Sequence, residues 1–172
     1  CSGREPTRMI GMATDPQLSD PVELEAEAVA IVGRLVFAFS RFEFNLGLCL
    51  RNIVGGSNVD LVNPLIERLS FKNKLDALKE VVELRHASES AYVAEFREWY
   101  RTMDSLRSRR NSFVHGRWAV LEFADVVVNV APGMPGAVPQ RETRFTVSEL
   151  RSELQELETA ASKLYDLSRR QR

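Results

Sequence analysis

Apolar residues recur at helical intervals along four long stretches of the chain. Between Pro21 and Ile53, Val29, Val32, Val36, Phe39 and Leu46 follow three- and four-residue steps, with Glu43 on or near the same stripe. That period predicts an amphipathic helix. Phe37, Phe44 and Leu48 widen the stripe, so more than one face of this helix is expected to be covered. Asp20 can cap its start, Pro21 suits the first turn and Glu23 supplies the acid of a capping box, while Gly55-Gly56-Ser57 ends it. A second helix is predicted from Pro64 to Arg85 on Leu65, Leu69, Leu75, Leu78 and Val82, with Ser70-Phe71 a place to bend or break. The third runs from Ser88 to His115. Phe96, Trp99, Met103, Leu106, Arg110 and Phe113 alternate three and four apart, the seam of a helix bundle. The last begins near Val147, behind the capping box Thr146-x-x-Glu149, and carries Leu150, Leu154, Leu157, Ala161, Leu164 and Leu167.

The period changes after Gly116. Trp118 and Val120, then Val126, Val128 and Val130, predict two short strands with a turn near Ala124-Asp125. Ala131 to Gln140 is rich in Pro and Gly and reads as a loop, and Arg144 to Val147 allows one more short strand. The fold class is therefore mainly α: a four-helix bundle with a small β-hairpin insert before the last helix. Residues 1–20 lack periodicity and are expected to form a disordered N-terminal segment, leaving 21–172 as one helical domain.

Charge sharpens this picture at one place. Arg110 takes a seam position where an apolar residue belongs, and a charge there is costly unless paired or used. With Arg107, Arg109 and Arg117 it forms the most basic stretch of a chain whose net charge is only −1. A polyanion would thus meet a local patch and no overall field. Lys72, Lys74 and Lys79 are a lesser cluster, whose ordinary role is to solvate a helix face, and Arg169-Arg170-Gln171-Arg172 is a basic tail. Two cysteines make no disulfide framework, and Cys49, in an apolar helical run, is expected to be a buried thiol. The most apolar run, Ala28 to Phe39, is interrupted by Gly33 and Arg34 and is too short to span a bilayer. A cytoplasmic location without membrane contact is expected. Phosphate-loop, dinucleotide and serine-hydrolase signatures are absent, as are HExxH and any Cys/His cluster, so neither cofactor nor metal is expected.

The candidate chemistry lies in Arg109-Arg110-Asn111-Ser112-Phe113-Val114-His115-Gly116. An arginine forks onto phosphate oxygens and a histidine trades a proton near neutral pH. Five residues apart, Arg110 and His115 point about 140° from one another on a regular helix. Gly116 is expected to end the helix in the left-handed conformation, with His115 the last helical residue. The two side chains then converge only at a helix end, in a cleft or at a seam between two chains. Glu43 has two readings: a solvated carboxylate or ion pair with Arg34 or Arg41, or an acid that orients His115 or Arg110 from a neighbouring helix.

Arg110-Asn111-x-x-x-His115 resembles the R-x4-6-H signature of the HEPN superfamily. The Phe39-Ser-Arg-Phe-Glu43 and Leu69-Ser-Phe-Lys-Asn-Lys-Leu75 segments resemble equivalent helices of such proteins, and the likeness runs from about Val22 to the C-terminus. It implies a metal-independent endoribonuclease of toxin or defence systems, acting at a homodimer cleft on an RNA substrate, with a cognate antitoxin as a partner. It implies catalytic roles for Arg110, Asn111 and His115, supported or oriented by Glu43, Arg109 and Arg117. Other members keep the fold without cleaving anything, so the alternative is a non-catalytic helical dimer that binds a nucleotide or a partner protein.

Overall fold

The computed structural model describes residues 20–56, 58–121, 124–134, 136 and 139–169; the expected disordered segment, up to residue 19, lies outside them. Among the described residues, five helices and three strands follow in the order α1 (Pro21–Gly55), α2 (Val59–Glu67), α3 (Phe71–Arg85), α4 (Ser90–His115), β1 (Arg117–Leu121), β2 (Val126–Val130), β3 (Glu142–Phe145) and α5 (Val147–Arg169). The protein is mainly helical. No helix among the described residues is long and apolar enough to cross a membrane.

Asp20 belongs to the fold rather than to the segment before it. Its backbone is extended and its carboxylate accepts the Val22 N–H at 2.9 Å, which starts α1. The helix buries Leu24, Ala28, Ile31, Leu35, Phe39, Phe42, Leu46, Leu50 and Ile53. The chain covers this face along the helix, and α2 also covers Gly47 and Gly55 near its end. Val29, Phe37 and Phe44 stand exposed on the opposite side. Both sides of α1 are apolar, and periodicity by itself does not choose between them.

The expected second helix is two. Ser70 turns extended and its hydroxyl accepts the Asn73 N–H at 3.2 Å, so a new N-cap starts α3 after the break at residues 68–70. The first piece, α2, begins at Val59 and carries Pro64 inside it rather than at its start. Leu65 is exposed, whereas Leu75, Leu78 and Val82 of α3 enter the core. At α5 the capping box closes both ways. Thr146 N–H donates to Glu149 Oε2 at 2.7 Å and Glu149 N–H to Thr146 Oγ1 at 3.2 Å. The backbone bond from Thr146, joined by its hydroxyl, holds the Glu149 carboxyl below its usual range.

The helices pack around α1, which touches α2, α3, α4 and α5 as well as β1 and β2. Trp99 Nε1 donates to Ala160 O at 2.8 Å and Tyr92 O–H to Leu167 O at 3.1 Å, which pins α4 along α5. The insert is a three-stranded antiparallel sheet in the order β1-β2-β3, one strand more than a hairpin. Arg117 pairs with Val130 and Leu121 with Val126; Val127 pairs with Phe145 and Val130 with Glu142. Phe113, Trp118 and Phe145 stack with ring centres 5.4 to 5.9 Å apart, and Trp118 Nε1 donates to Phe113 O at 2.9 Å. The end of α4 is thus fixed to the sheet by aromatic packing and one hydrogen bond.

Candidate functional site

The helix carrying the Arg–Asn–His segment stays regular to its end. His115 is its last residue, and the Gly116 N–H still donates to Ser112 O at 2.8 Å. Gly116 does not take the left-handed conformation expected of it. Its φ is −74° and ψ 162°, an extended geometry open to any residue. Space explains the glycine. A Cβ at 116 would lie 2.4 Å from Asn129 Nδ2, 2.6 Å from Asn129 Oδ1 and 2.5 Å from Ser112 O. The chain must pass under Asn129 of β2 to leave the helix, and only a glycine fits.

With the helix regular, Arg110 and His115 diverge by about 140°, and one chain does not bring them together through its helix end. Arg110 is half-buried and its Nη1 donates to Asn111 Oδ1 at 3.2 Å; among the described residues it has no ion-pair partner. His115 is exposed, and no hydrogen bond to its ring is present among the described residues. None of the three side chains lines any of five clefts that open on the described surface.

The supporting residues disperse. Arg109 reaches α5, 2.6 Å from Glu153 and 2.5 Å from Glu156. Burial pushes the Glu153 carboxyl above its usual range against the opposing pull of Arg109. Arg117 donates to Gln140 at the mouth of a shallow groove of about 510 Å³ that also includes Trp118 and Glu142. Glu43 pairs with Lys74 of α3 at 3.1 Å, rather than with Arg34, Arg41, Arg110 or His115. Arg107 is held by Asp104 at 2.9 Å. Of the basic stretch, only Arg110 and Arg117 lack ion pairs among the described residues.

The lysines are engaged too. Lys72 lies 2.7 Å from Asp76, 2.5 Å from the Tyr100 hydroxyl and 3.6 Å from Asp104, while Lys79 pairs with Glu83 at 3.2 Å. Burial works to raise the Asp76 carboxyl, but hydrogen bonds from Lys72 and Tyr100 outweigh it and leave the group below its usual range. These contacts tie α3 to α4. Cys49 is half-buried, and burial pushes its thiol up to about 11, which leaves it inert at neutral pH. His86 accepts or donates at Glu89, 2.8 Å away, and stacks near Tyr92. Among the described residues, no three His, Cys, Asp or Glu side chains gather where a metal ion would fit.

One residue near the segment escaped the sequence reading. Asn129 is 3% exposed, and its Nδ2 has no partner among the described residues. A buried amide N–H without a partner is expensive. Its only sequence signal is its place inside Val126-Val127-Val128-Asn129-Val130, a polar interruption of a buried strand. No protein-family model matches the chain, and neither a curated protein nor a solved structure proved significantly similar to it.

Proposed function

We propose that the protein is a metal-independent endoribonuclease of the HEPN type. One observation carries the reading beyond the resemblance of Arg110-Asn111-x-x-x-His115. Arg110 is a half-buried guanidinium without a counter-ion among the described residues, on a helix that ends five residues later at an exposed histidine. A cation left unpaired at a packed seam suits an anion supplied from outside. In this mechanism His115 removes the proton from a ribose 2′-hydroxyl, and the 2′-oxygen attacks the adjacent phosphorus. The 5′-oxygen leaves, protonated by a second histidine acting as acid, and a 2′,3′-cyclic phosphate remains. Arg110 stabilises the charge that develops on the phosphate oxygens, and Asn111 holds the guanidinium through the 3.2 Å contact.

Each chain has a single histidine in this segment, so the base and the acid come from two copies. The reading therefore requires a homodimer in which both α4 ends face one cleft. It places the protein in the cytoplasm, with α1, α3, α4 and α5 as the four-helix bundle of the family, RNA as substrate and an antitoxin as partner. Arg117 supplies a second phosphate contact, while Arg109 positions α4 through α5.

The test is cleavage of total RNA with a chelator present. The wild type cuts under these conditions, and His115→Ala loses about 100- to 10000-fold in rate with its far-ultraviolet spectrum unchanged. Arg110→Ala also loses cleavage. Full activity in the His115 variant ends the assignment. The non-catalytic dimer is favoured by a specific observation of its own, the absence of any orienting hydrogen bond to the His115 ring among the described residues. It predicts no cleavage by the wild type.

A further inference from the structure

The side of α1 turned away from the core is apolar along most of its length. Val22 is 72% exposed, Val29 64%, Phe37 74% and Phe44 67%. With Gly33 these residues form a stripe that is symmetric in sequence. Val29 and Phe37 lie four residues to either side of Gly33, and Val22 and Phe44 lie eleven to either side. At about 100° per residue all five fall within a sector of about 80°. A stripe that reads the same way outward in both directions is self-complementary under a two-fold axis.

Gly33 itself needs a reason. Glycine weakens a helix interior, and no described residue lies within 4 Å of where its Cβ would stand. Among the described residues no neighbour gains from the missing side chain. A second helix crossing at this point would gain, because its backbone can approach closely.

Charge selects the orientation. Glu23, Glu25 and Glu27 fall in the N-terminal half of α1, and Arg34, Arg41 and Arg51 beyond Gly33, where the one carboxylate, Glu43, is paired with Lys74. Glu23, Glu25, Arg34 and Arg41 have no ion pairs among the described residues. Antiparallel approach sets the acidic half of one helix beside the basic half of the other, whereas parallel approach sets like against like. Beside Gly33 the apolar surface continues into a groove of about 290 Å³ lined by Ala28, Val29, Val32, Trp118 and Val120.

We infer that this face of α1 is a homodimer interface, in which two copies cross antiparallel about a two-fold axis at Gly33. Phe37 of each chain lies at the level of Val29 of the other, and Phe44 at the level of Val22. Such an axis keeps matching flanks on the same side of the helix pair. Both grooves, and with them both β1 strands, then lie on one side. Trp118 follows His115 by three residues, so both α4 ends are carried to that side as well. The interface stands without the nuclease reading; with it, α1 is the element that assembles the shared cleft.

The experiment uses the full chain. Light scattering at micromolar concentration gives twice the 19.5 kDa chain mass. Phe37→Asp gives the single-chain mass with an unchanged far-ultraviolet spectrum, since the side chain makes no core contact. In a Cys1→Ser, Cys49→Ser background, Gly33→Cys forms a disulfide-linked dimer on mild oxidation, because a residue on the axis meets its own copy. A monomeric wild type, a dimer that survives Phe37→Asp, or no covalent dimer from Gly33→Cys each overturns the interface. An intact dimer that cuts no RNA overturns the nuclease reading and leaves the interface standing.

Discussion

A methyl group at position 116 is the smallest change that should disturb the candidate site. The backbone there suits alanine, so any cost of Gly116→Ala comes from the collision with Asn129 and with Ser112 O. Overpacking of this kind costs about 1–3 kcal/mol. Urea denaturation is expected to show that loss, and Asn129→Ala in the same chain to recover part of it. Full stability in the single variant would mean that the end of α4 and β2 move apart freely. The residues of this site divide by how far they could be read from sequence. Arg110 and His115 announced themselves through residue type, and Arg110 also through its seam position. Asn129 did not, because a single polar residue in a valine-rich strand shows its burial only when the sheet is assembled. The conformation of Gly116 misled for a related reason: glycine after a helix ordinarily signals a left-handed turn, and here it signals a contact with a residue thirteen positions later.

Between elements, the α4–α5 contact rests on Arg109 with Glu153 and Glu156. Arg109→Ala leaves the partly buried Glu153 without its cation. The expected cost is about 1–3 kcal/mol, between that of an exposed pair and that of a buried one. The pH dependence has a definite sign. The folded protein raises the Glu153 pKa, so this group adds stability at low pH and loses it as pH climbs above about 4.3, the ordinary glutamate value. Without Arg109 the pKa rises further, and stability falls more steeply from pH 4 toward pH 7. Unfolding curves across that range, equal in slope for both proteins, would refute the pairing. Asp76 has the opposite sign. Its folded pKa is depressed, so its contribution is present above about 3.9 and disappears as pH falls through the lower folded value. Lys72→Met should therefore move acid unfolding to higher pH. The Arg109 contact was not legible in the sequence, because Glu153 and Glu156 lie far along the chain, and neither was the bond from Tyr100 to Asp76; the Lys72–Asp76 pair, four apart on one helix, was open to reading but does not stand out from any other i,i+4 pair. The capping box of α5 was legible, because all of its atoms lie within four residues. The break before α3 was half legible: Ser70 marked the place, but the earlier start of α2 was hidden by Pro64, which reads as a first-turn residue.

At the level of the whole molecule, a net charge of −1 gives RNA no overall attraction, and the pairing of Arg107, Arg109 and the lysines leaves few cations beside the Arg–Asn–His segment. If each chain of a dimer offers Arg110 and Arg117, about four phosphates are neutralised, and the logarithm of affinity should fall with that of salt at a slope of about −3 for single strands. Filter binding at several salt concentrations measures it. A slope twice as steep would place the RNA on other residues. The mainly helical class was legible because four of the helices carry sustained stripes. The third strand was only permitted, since the four residues of β3 become a strand by pairing with β2. The face of α1 that enters the core was not legible, because both sides are apolar and only the positions of α3, α4 and α5 decide between them.

The helix that opens this fold also packs against the one that closes it, since α1 and α5 lie together. A ribosome delivers α1 long before α5. Throughout that interval Leu24, Ile31 and Leu35 are bare on one side of the nascent helix, and Val29 and Phe37 on the other. The growing chain thus shows surfaces that invite capture by chaperones or by a neighbouring nascent copy. A message cut short before Val147 never brings α5 onto the core face of α1. Its product is expected in the pellet of a cell lysate, with the full-length protein in the supernatant.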